Sequence, residues 1–209
     1  LAAAQGALEA LPFAGPLTES QEGLVGRARR RIVDSCDMIR DLLDLAAAQR
    51  LEDTPPGEPV LFDESIKRAL ETAREHARAK GLGFIEESDA GECLLQAQPA
   101  DLERIFSNLL NNAVKYTGQG KVTFGAQRTD GMLKVWVADT GIGIAPDEIE
   151  RVFTGFYRTA AAKASGEVGT GLGLSIVRHV VEKLGGSLSV ESEPGKGTRF
   201  DVRLPLAQS

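Results

Sequence analysis

Apolar and polar positions change period several times along these 209 residues, and each change marks an element. From Leu17 to about Glu52 the apolar residues recur every seventh position. Val25, Ile32, Ile39 and Ala46 share one core position, and Ala28, Ser35 and Leu42 share the other. Thr18-Glu19-Ser20-Gln21 opens this long helix as a capping box. Cys36 and Leu43 widen the stripe beyond a two-stranded seam, which predicts a four-helix bundle. Residues 1–13 read as the tail of a preceding helix, broken by Pro12 and the Gly15-Pro16 turn. So short an arm cannot close a bundle alone, and a second copy of the chain is the expected partner. The alternative is an amphipathic helix folded back on its own domain.

Beyond the linker Asp53-Thr54-Pro55-Pro56-Gly57 the pattern alternates between strand and helix periods. Pro59–Phe62 predicts a short strand, and Asp63–Lys80 a helix stopped by Gly81. Leu82–Glu87 and Glu92–Ala97 predict strands joined by the turn Ser88-Asp89-Ala90-Gly91. Pro99 opens a helix with Leu102, Ile105, Phe106, Leu109, Leu110 and Ala113 on its buried face. Lys121–Arg128 and Met132–Ala138 form a hairpin across Thr129-Asp130-Gly131. A helix over Ser175–Leu184 follows, with Leu174, Val177, Val181 and Leu184 on one side. Ser187–Ser192 and Thr198–Leu204 make a last hairpin. The expected fold class is α/β: a two-layer sandwich of a mixed sheet covered by helices, residues 55–209, preceded by a helical-hairpin arm, residues 1–54.

Composition narrows the function classes. A net charge of −6 argues against a nucleic-acid partner, which would call for a basic face. Cys36 and Cys93 share no metal spacing, so a reduced, cytoplasmic setting is expected rather than a disulfide scaffold. No run approaches the length of a membrane span, so no membrane contact is expected of these residues, although a sensor upstream could have one. The start at Leu1, without Met, reads as an excised piece of a larger protein.

Two glycine clusters carry the candidate chemistry. The alternating run Met132–Ala138 ends in Asp139-Thr140-Gly141-Ile142-Gly143-Ile144, and Gly169-Thr170-Gly171-Leu172-Gly173-Leu174 feeds a helix. Glycines let backbone N–H groups approach a ligand closely, and a helix N-terminus favours an anion. Asn108 and Asn112, four apart, share a helix face, with Lys115 and Tyr116 on the adjoining turn. Magnesium usually reaches a protein through few ligands plus phosphate oxygens. Two Asn and a Lys beside two glycine turns therefore fit a magnesium triphosphate; the plainer alternative is a solvated helix face. Asp139 can accept a hydrogen bond from an amino group such as that of adenine, or cap its own loop.

Taken in order, SNLLNNAVKYT from Ser107, DTGIG from Asp139, Phe153-Thr154-Gly155-Phe156-Tyr157-Arg158, GTGLGL from Gly169 and GKGT ending at Thr198 resemble five boxes of a sensor histidine kinase. These are the N box, first glycine box, F box, second glycine box and final glycine box. Over about residues 59–206 the chain is similar to the catalytic, ATP-binding domain of the gyrase–Hsp90–histidine kinase–MutL superfamily. Leu17–Glu52 resembles the second helix of a dimerisation and histidine-phosphotransfer domain.

The resemblance implies ATP and Mg2+ as cofactors. It implies Asn112 as the magnesium ligand supported by Asn108, Lys115 as a phosphate contact and Tyr116 as a ring packed on adenine. Asp139 would read the adenine amino group above Gly141 and Gly143, and Arg158 would reach the γ-phosphate. Gly169, Gly171 and Gly173 would bring backbone donors to the phosphates. Ile144, Phe156, Thr170, Leu172 and Thr198, from the same boxes, complete the expected nucleotide set. Asn112 and Arg158 are the expected catalytic residues, and residues from about Thr159 to Val168 the lid.

One departure qualifies the resemblance. The acceptor box, a His followed by Glu-Leu-Arg-x-Pro, is not in the chain, whose histidines are His76 and His179. Neither is expected to be the acceptor. Leu1-Ala2-Ala3-Ala4-Gln5 resembles the continuation of that box, which would put the acceptor about five residues before Leu1. The implied function is ATP-dependent phosphorylation of that His on the dimerisation helix of a homodimer, for relay to an Asp of a response-regulator receiver domain. The alternative is a nucleotide-gated dimeric binding module without phosphotransfer. The F box and the helical arm disfavour a gyrase, MutL or chaperone ATPase.

Overall fold

The computed structural model describes residues 58–207, together with 6, 10, 15, 18, 20–28, 31–32, 35–36 and 39. In the arm, residues 20–28 are helical, and the capping box is formed. Thr18 N–H donates to Gln21 Oε1 at 2.9 Å, and Gln21 N–H donates back to Thr18 Oγ1 at 3.4 Å. Val25, Ala28 and Ile32 are half-buried, whereas Ser35 and Ile39 are exposed. Leu42, Ala46 and the linker lie outside the described residues.

Residues 58–207 form a five-stranded mixed sheet with helices on one face, the expected two-layer α/β sandwich. The elements are β1 (Val60–Leu61), α1 (Phe62–Ala79), β2 (Gly83–Asp89), β3 (Leu94–Leu95), α2 (Pro99–Tyr116), β4 (Lys121–Thr129), β5 (Met132–Asp139), α3 (Ala160–Ala164), α4 (Gly173–Lys183), β6 (Ser187–Glu193) and β7 (Gly197–Pro205). Single 3-10 turns at Pro146–Glu148 and Arg151–Phe153 lie between β5 and α3. The sheet order is β2-β4-β5-β7-β6, with β2 parallel to β4 and every other pair antiparallel.

The core follows from the two periods meeting. Strand alternation turns Val122, Phe124, Leu133, Val135, Val137, Phe200, Val202 and Leu204 to the helix side, all buried. The predicted face of α2 is buried throughout, and Phe106 makes edge contacts with Phe62 of α1 and Phe124 of β4. Ala69, Ala73 and Ala77 let α1 lie close against α2. Asp130 and Gly131, both at positive φ, close the β4–β5 hairpin as expected of an Asp-Gly turn. A part-buried ion pair, Lys183 Nζ to the buried Asp101 Oδ2 at 2.7 Å, ties the last turn of α4 to the first turn of α2.

Two expectations are corrected. The strands predicted over Leu82–Glu87 and Glu92–Ala97 do not pair with each other: β2 joins β4 and β3 joins β1. Ala90 and Cys93 are buried, and Cys93 Sγ–H donates to the Ala90 carbonyl. The connection is drawn into the core, so the chain leaves the sheet instead of folding back along β2. In α4, Ile176 and Val180 join Val177 and Val181 as the buried residues, while Leu174 and Leu184 are only half-buried at its ends.

Candidate functional site

A cavity of about 820 Å³ opens between α2, the loop after β5 and the segment from Tyr157 to Leu174. Of the residues picked out by sequence, Asn108, Asn112, Lys115, Tyr116, Asp139, Gly143, Ile144, Arg158, Gly169, Thr170, Gly171, Gly173 and Thr198 line it. Three stand elsewhere. Leu172 is fully buried in the core, and Phe156 is 62% exposed outside the lining. Gly141 lies beneath the wall, donating its N–H to Asp139 Oδ1 at 2.7 Å.

One end of the cavity is acidic. Asp139 closes β5 opposite Thr198 of β7. Burial pushes its carboxyl up from 3.8 to about 6, although N–H donors from Gly141 and Thr198 favour the charge. The loop beyond it is fixed from both sides. Ile142 N–H donates to the Tyr116 carbonyl at 3.2 Å, Gly195 N–H to the Ile142 carbonyl at 2.9 Å, and Ile144 N–H to Ser192 Oγ at 2.8 Å. Gly143, at φ +68°, passes so close to the Glu193 carbonyl that an added Cβ would lie 2.1 Å from it.

The other end is cationic and amide-rich. Asn108 donates its amide to the Arg104 carbonyl of its own helix at 2.8 Å, which turns its oxygen toward Gly173 at the start of α4. Lys115 Nζ lies 5.7 Å from the centroid of the Tyr116 ring. Gly171, at φ +77°, lets the second glycine loop pass over the Tyr157 backbone, and its carbonyl accepts from Phe156 N–H at 3.0 Å. No cluster of three or more His, Cys, Asp or Glu suited to a metal exists among the described residues. A cation here would meet neutral amide oxygens and take its remaining partners from a ligand. Such a donor set suits an ion that arrives with phosphates.

The segment expected to be a lid is tethered at several points. Thr159 Oγ1 caps α3, accepting from Ala162 N–H at 3.0 Å. The Arg158 guanidinium donates to the carbonyls of Ala162 and Glu167, while its Nε is buried with no hydrogen-bond partner among the described residues. Glu148 Oε1 accepts from Tyr157 O–H at 2.7 Å and from Ala160 N–H at 3.0 Å; these bonds hold the Glu148 carboxyl below its usual range. Lys80, just past α1, donates to the Val114 and Lys115 carbonyls and pairs with Glu167 at 3.2 Å.

Sequence reasoning left Lys80 and Glu148 unassigned, and gave His76 no role although it lines the cavity. Lys80 and Glu167 are too far apart in the chain for any local pattern to join them. Glu148 had a usable signal, an acid a few residues beyond the DTGIG turn and shortly before the aromatic cluster.

Residues 97–208 match the family described as histidine kinase-, DNA gyrase B-, and HSP90-like ATPase. Histidine protein kinase DivJ of Caulobacter vibrioides is 36% identical over 175 residues, covering 81% of this chain and 28% of DivJ. Sensor-like histidine kinase SenX3 of Mycolicibacterium smegmatis is 33% identical over 170 residues, covering 81% of this chain and 44% of SenX3. The chain thus spans less than half the length of these relatives. Among solved structures, the mycobacterial sensor histidine kinase MprB superimposes with a TM-score of 0.63 at 33% identity, covering 73% of this chain and 100% of that one. Full-length ShkA in complex with AMPPNP superimposes with a TM-score of 0.73 at 29% identity, covering 94% of this chain and 41% of that one. By family, by relatives and by fold, the chain belongs to the histidine kinase-, DNA gyrase B-, and HSP90-like ATPases and carries the catalytic ATP-binding domain of a sensor histidine kinase.

Proposed function

We propose that this chain binds ATP with Mg2+ in the cavity beside α2 and serves as the kinase core of a two-component system. Its γ-phosphoryl acceptor is a His on the dimerisation helix, and the phosphoryl group passes on to an Asp of a response-regulator receiver domain. The arm, residues 1–54, makes a homodimer, and residues 55–209 carry the catalysis. The observation that carries this reading is the polarity of the cavity, with a buried carboxylate at one end and Lys115, Arg158 and the start of α4 at the other. That polarity matches a nucleotide whose base offers an amino group and whose other end is an anion.

Each wall has a distinct task. Asp139 accepts a hydrogen bond from the adenine amino group, and its carboxylate cannot donate one to a carbonyl in the same place. Tyr116 packs on the base. Lys115 and the backbone N–H groups of the second glycine loop hold the phosphates, where the α4 dipole favours negative charge. Asn112 would hold the magnesium ion, with the Asn108 oxygen one turn earlier as its support; the ion would neutralise charge on the transferring phosphoryl group. Arg158 supplies the remaining positive charge, exchanging its bonds to the Ala162 and Glu167 carbonyls for the phosphate. Phosphoryl transfer of this type depends mainly on positioning and charge stabilisation.

Calorimetric titration with ATP and GTP tests the reading of the base. ATP should bind more tightly, and Asp139→Ala should lose about 10- to 100-fold in ATP affinity, the worth of one charge-assisted hydrogen bond. Equal affinity for ATP and GTP in the unmutated chain would overturn the assignment of Asp139.

A further inference from the structure

A row of three side chains crosses the sheet at the acidic end of the cavity. Asp139 of β5 is paired with Thr198 of β7, and Thr198 with Ser192 of β6. Ser192 does not line the cavity, yet its hydroxyl makes three contacts. It lies 2.8 Å from Ile144 N, 2.9 Å from the Gly197 carbonyl and 2.8 Å from Thr198 Oγ1.

Counting protons fixes the direction of these bonds. A serine hydroxyl has one proton to donate and two lone pairs to accept with. The Gly197 carbonyl can only accept, so it takes the Ser192 proton. Ile144 N–H can only donate, so it takes one Ser192 lone pair. The remaining contact therefore requires Thr198 to donate its hydroxyl proton to Ser192. Thr198 lines the cavity wall and is 8% exposed, and its Oγ1 then has only lone pairs left for a ligand.

We propose that Ser192 is a positioning residue for nucleotide selection: by taking the Thr198 proton, it makes the base end of the cavity an all-acceptor surface. Asp139 as a carboxylate and Thr198 as an acceptor both welcome the amino group of adenine. Both oppose the carbonyl that guanine carries in the corresponding place. The inference rests on the reading of Asp139 as the adenine contact. It adds that discrimination depends on a serine one strand further out, because a Thr198 hydroxyl freed from Ser192 could rotate and donate to a carbonyl. The physical basis is that a site built for one hydrogen-bond polarity rejects the other by leaving buried groups unpaired.

The test is the ratio of ATP to GTP affinity, measured by calorimetry in the unmutated chain, Ser192→Ala and Ser192→Thr, with thermal unfolding as the check on folding. Ser192→Ala should lower the ATP preference about tenfold, chiefly by improving GTP relative to ATP. Ser192→Thr, which keeps the hydroxyl, should restore most of it. A merely structural serine would weaken both nucleotides together and leave the ratio unchanged, and that result overturns the proposal. If Ser192→Ala does not fold, Thr198→Val carries the same question: the ATP preference should fall similarly, and an unchanged ratio overturns the proposal. An unmutated chain that binds ATP and GTP alike overturns the Asp139 reading and this inference with it. Discrimination that survives in Ser192→Ala overturns this inference alone.

Discussion

The Arg158 guanidinium donates to the backbone carbonyl of Glu167, and so ties the residue just before the expected lid to its far end. The same guanidinium is the group proposed to meet the γ-phosphate. Contact with ATP therefore competes with the tether to Glu167 and Ala162, whereas ADP leaves the tether intact. In a chain extended upstream to carry an acceptor His, Arg158→Ala should lower phosphoryl transfer by about a hundredfold, the usual loss for one charge-stabilising donor. ADP affinity should change little. Limited trypsin digestion should also cut at Lys163 faster in this variant, since α3 loses a tether. Unchanged transfer with a faster cut at Lys163 would make Arg158 a lid anchor alone.

Asp139 predicts a conflict between stability and function. Between about pH 4 and pH 6 the folded chain keeps a proton that the unfolded chain has already released. Stability therefore falls as pH rises through that window, and the deficit is fully present above it; its size is at most roughly 3 kcal/mol. Asp139→Asn removes the buried charge and should raise the unfolding temperature near neutral pH while weakening ATP binding. In the unmutated chain, ATP affinity should decline as the pH drops below about 6. Thermal unfolding and calorimetry across this range check both signs.

Asn112 should act through magnesium. Asn112→Ala is expected to weaken ATP binding about tenfold with magnesium present. In chelator, ATP affinity should hardly change. Equal losses in the two conditions would make Asn112 a structural residue of α2.

The arm gives a test of assembly. Ile39 is 47% exposed within a single chain, on the stripe that also carries Val25 and Ile32. In the proposed homodimer it is covered by the partner, and Ile39→Asp would bury a charge there at a cost of several kcal/mol. Light scattering should then find a dimer for the unmutated chain and a monomer for the variant. A monomer in both would favour an arm folded back on its own domain.

Much of the fold was legible because strand and helix periods are clean in β4, β5, β7 and α2. Most of the cavity lining was legible because the glycine turns, Asn108 and Asn112 mark chain positions where backbone or amide groups can meet a ligand, and these positions line the cavity. The illegible parts share a physical cause, dependence on contacts distant in sequence. The pairing of β2 with β4 was hidden because nothing local distinguishes it from a hairpin with the next strand. Leu172 and Phe156 sit inside motifs whose neighbours line the cavity, but one turns into the core and the other outward. Lys80 looks like an ordinary basic residue at a helix end, and its approach to Glu167 exists only in the folded chain. Ser192 falls on the half-buried face of β6 with Leu188 and Val190, and the predicted ends of the last hairpin already set it beside Thr198; parity and register were the available clues, but neither shows the bonds its hydroxyl makes.

Phosphoryl transfer itself is the central claim, and ATP labelled at its γ-phosphate measures it most directly. The 209-residue chain should bind Mg-ATP without labelling itself. His179 does not line the cavity, and His76, which does, is fixed within α1, so neither is free to swing in line with the γ-phosphate. A chain extended upstream to carry an acceptor His on its dimerisation helix should take up acid-labile, base-stable label, and replacing that His should abolish it. Label on His76 or His179 in the short chain, or an extended chain that binds Mg-ATP and acquires no acid-labile phosphate, would contradict the account.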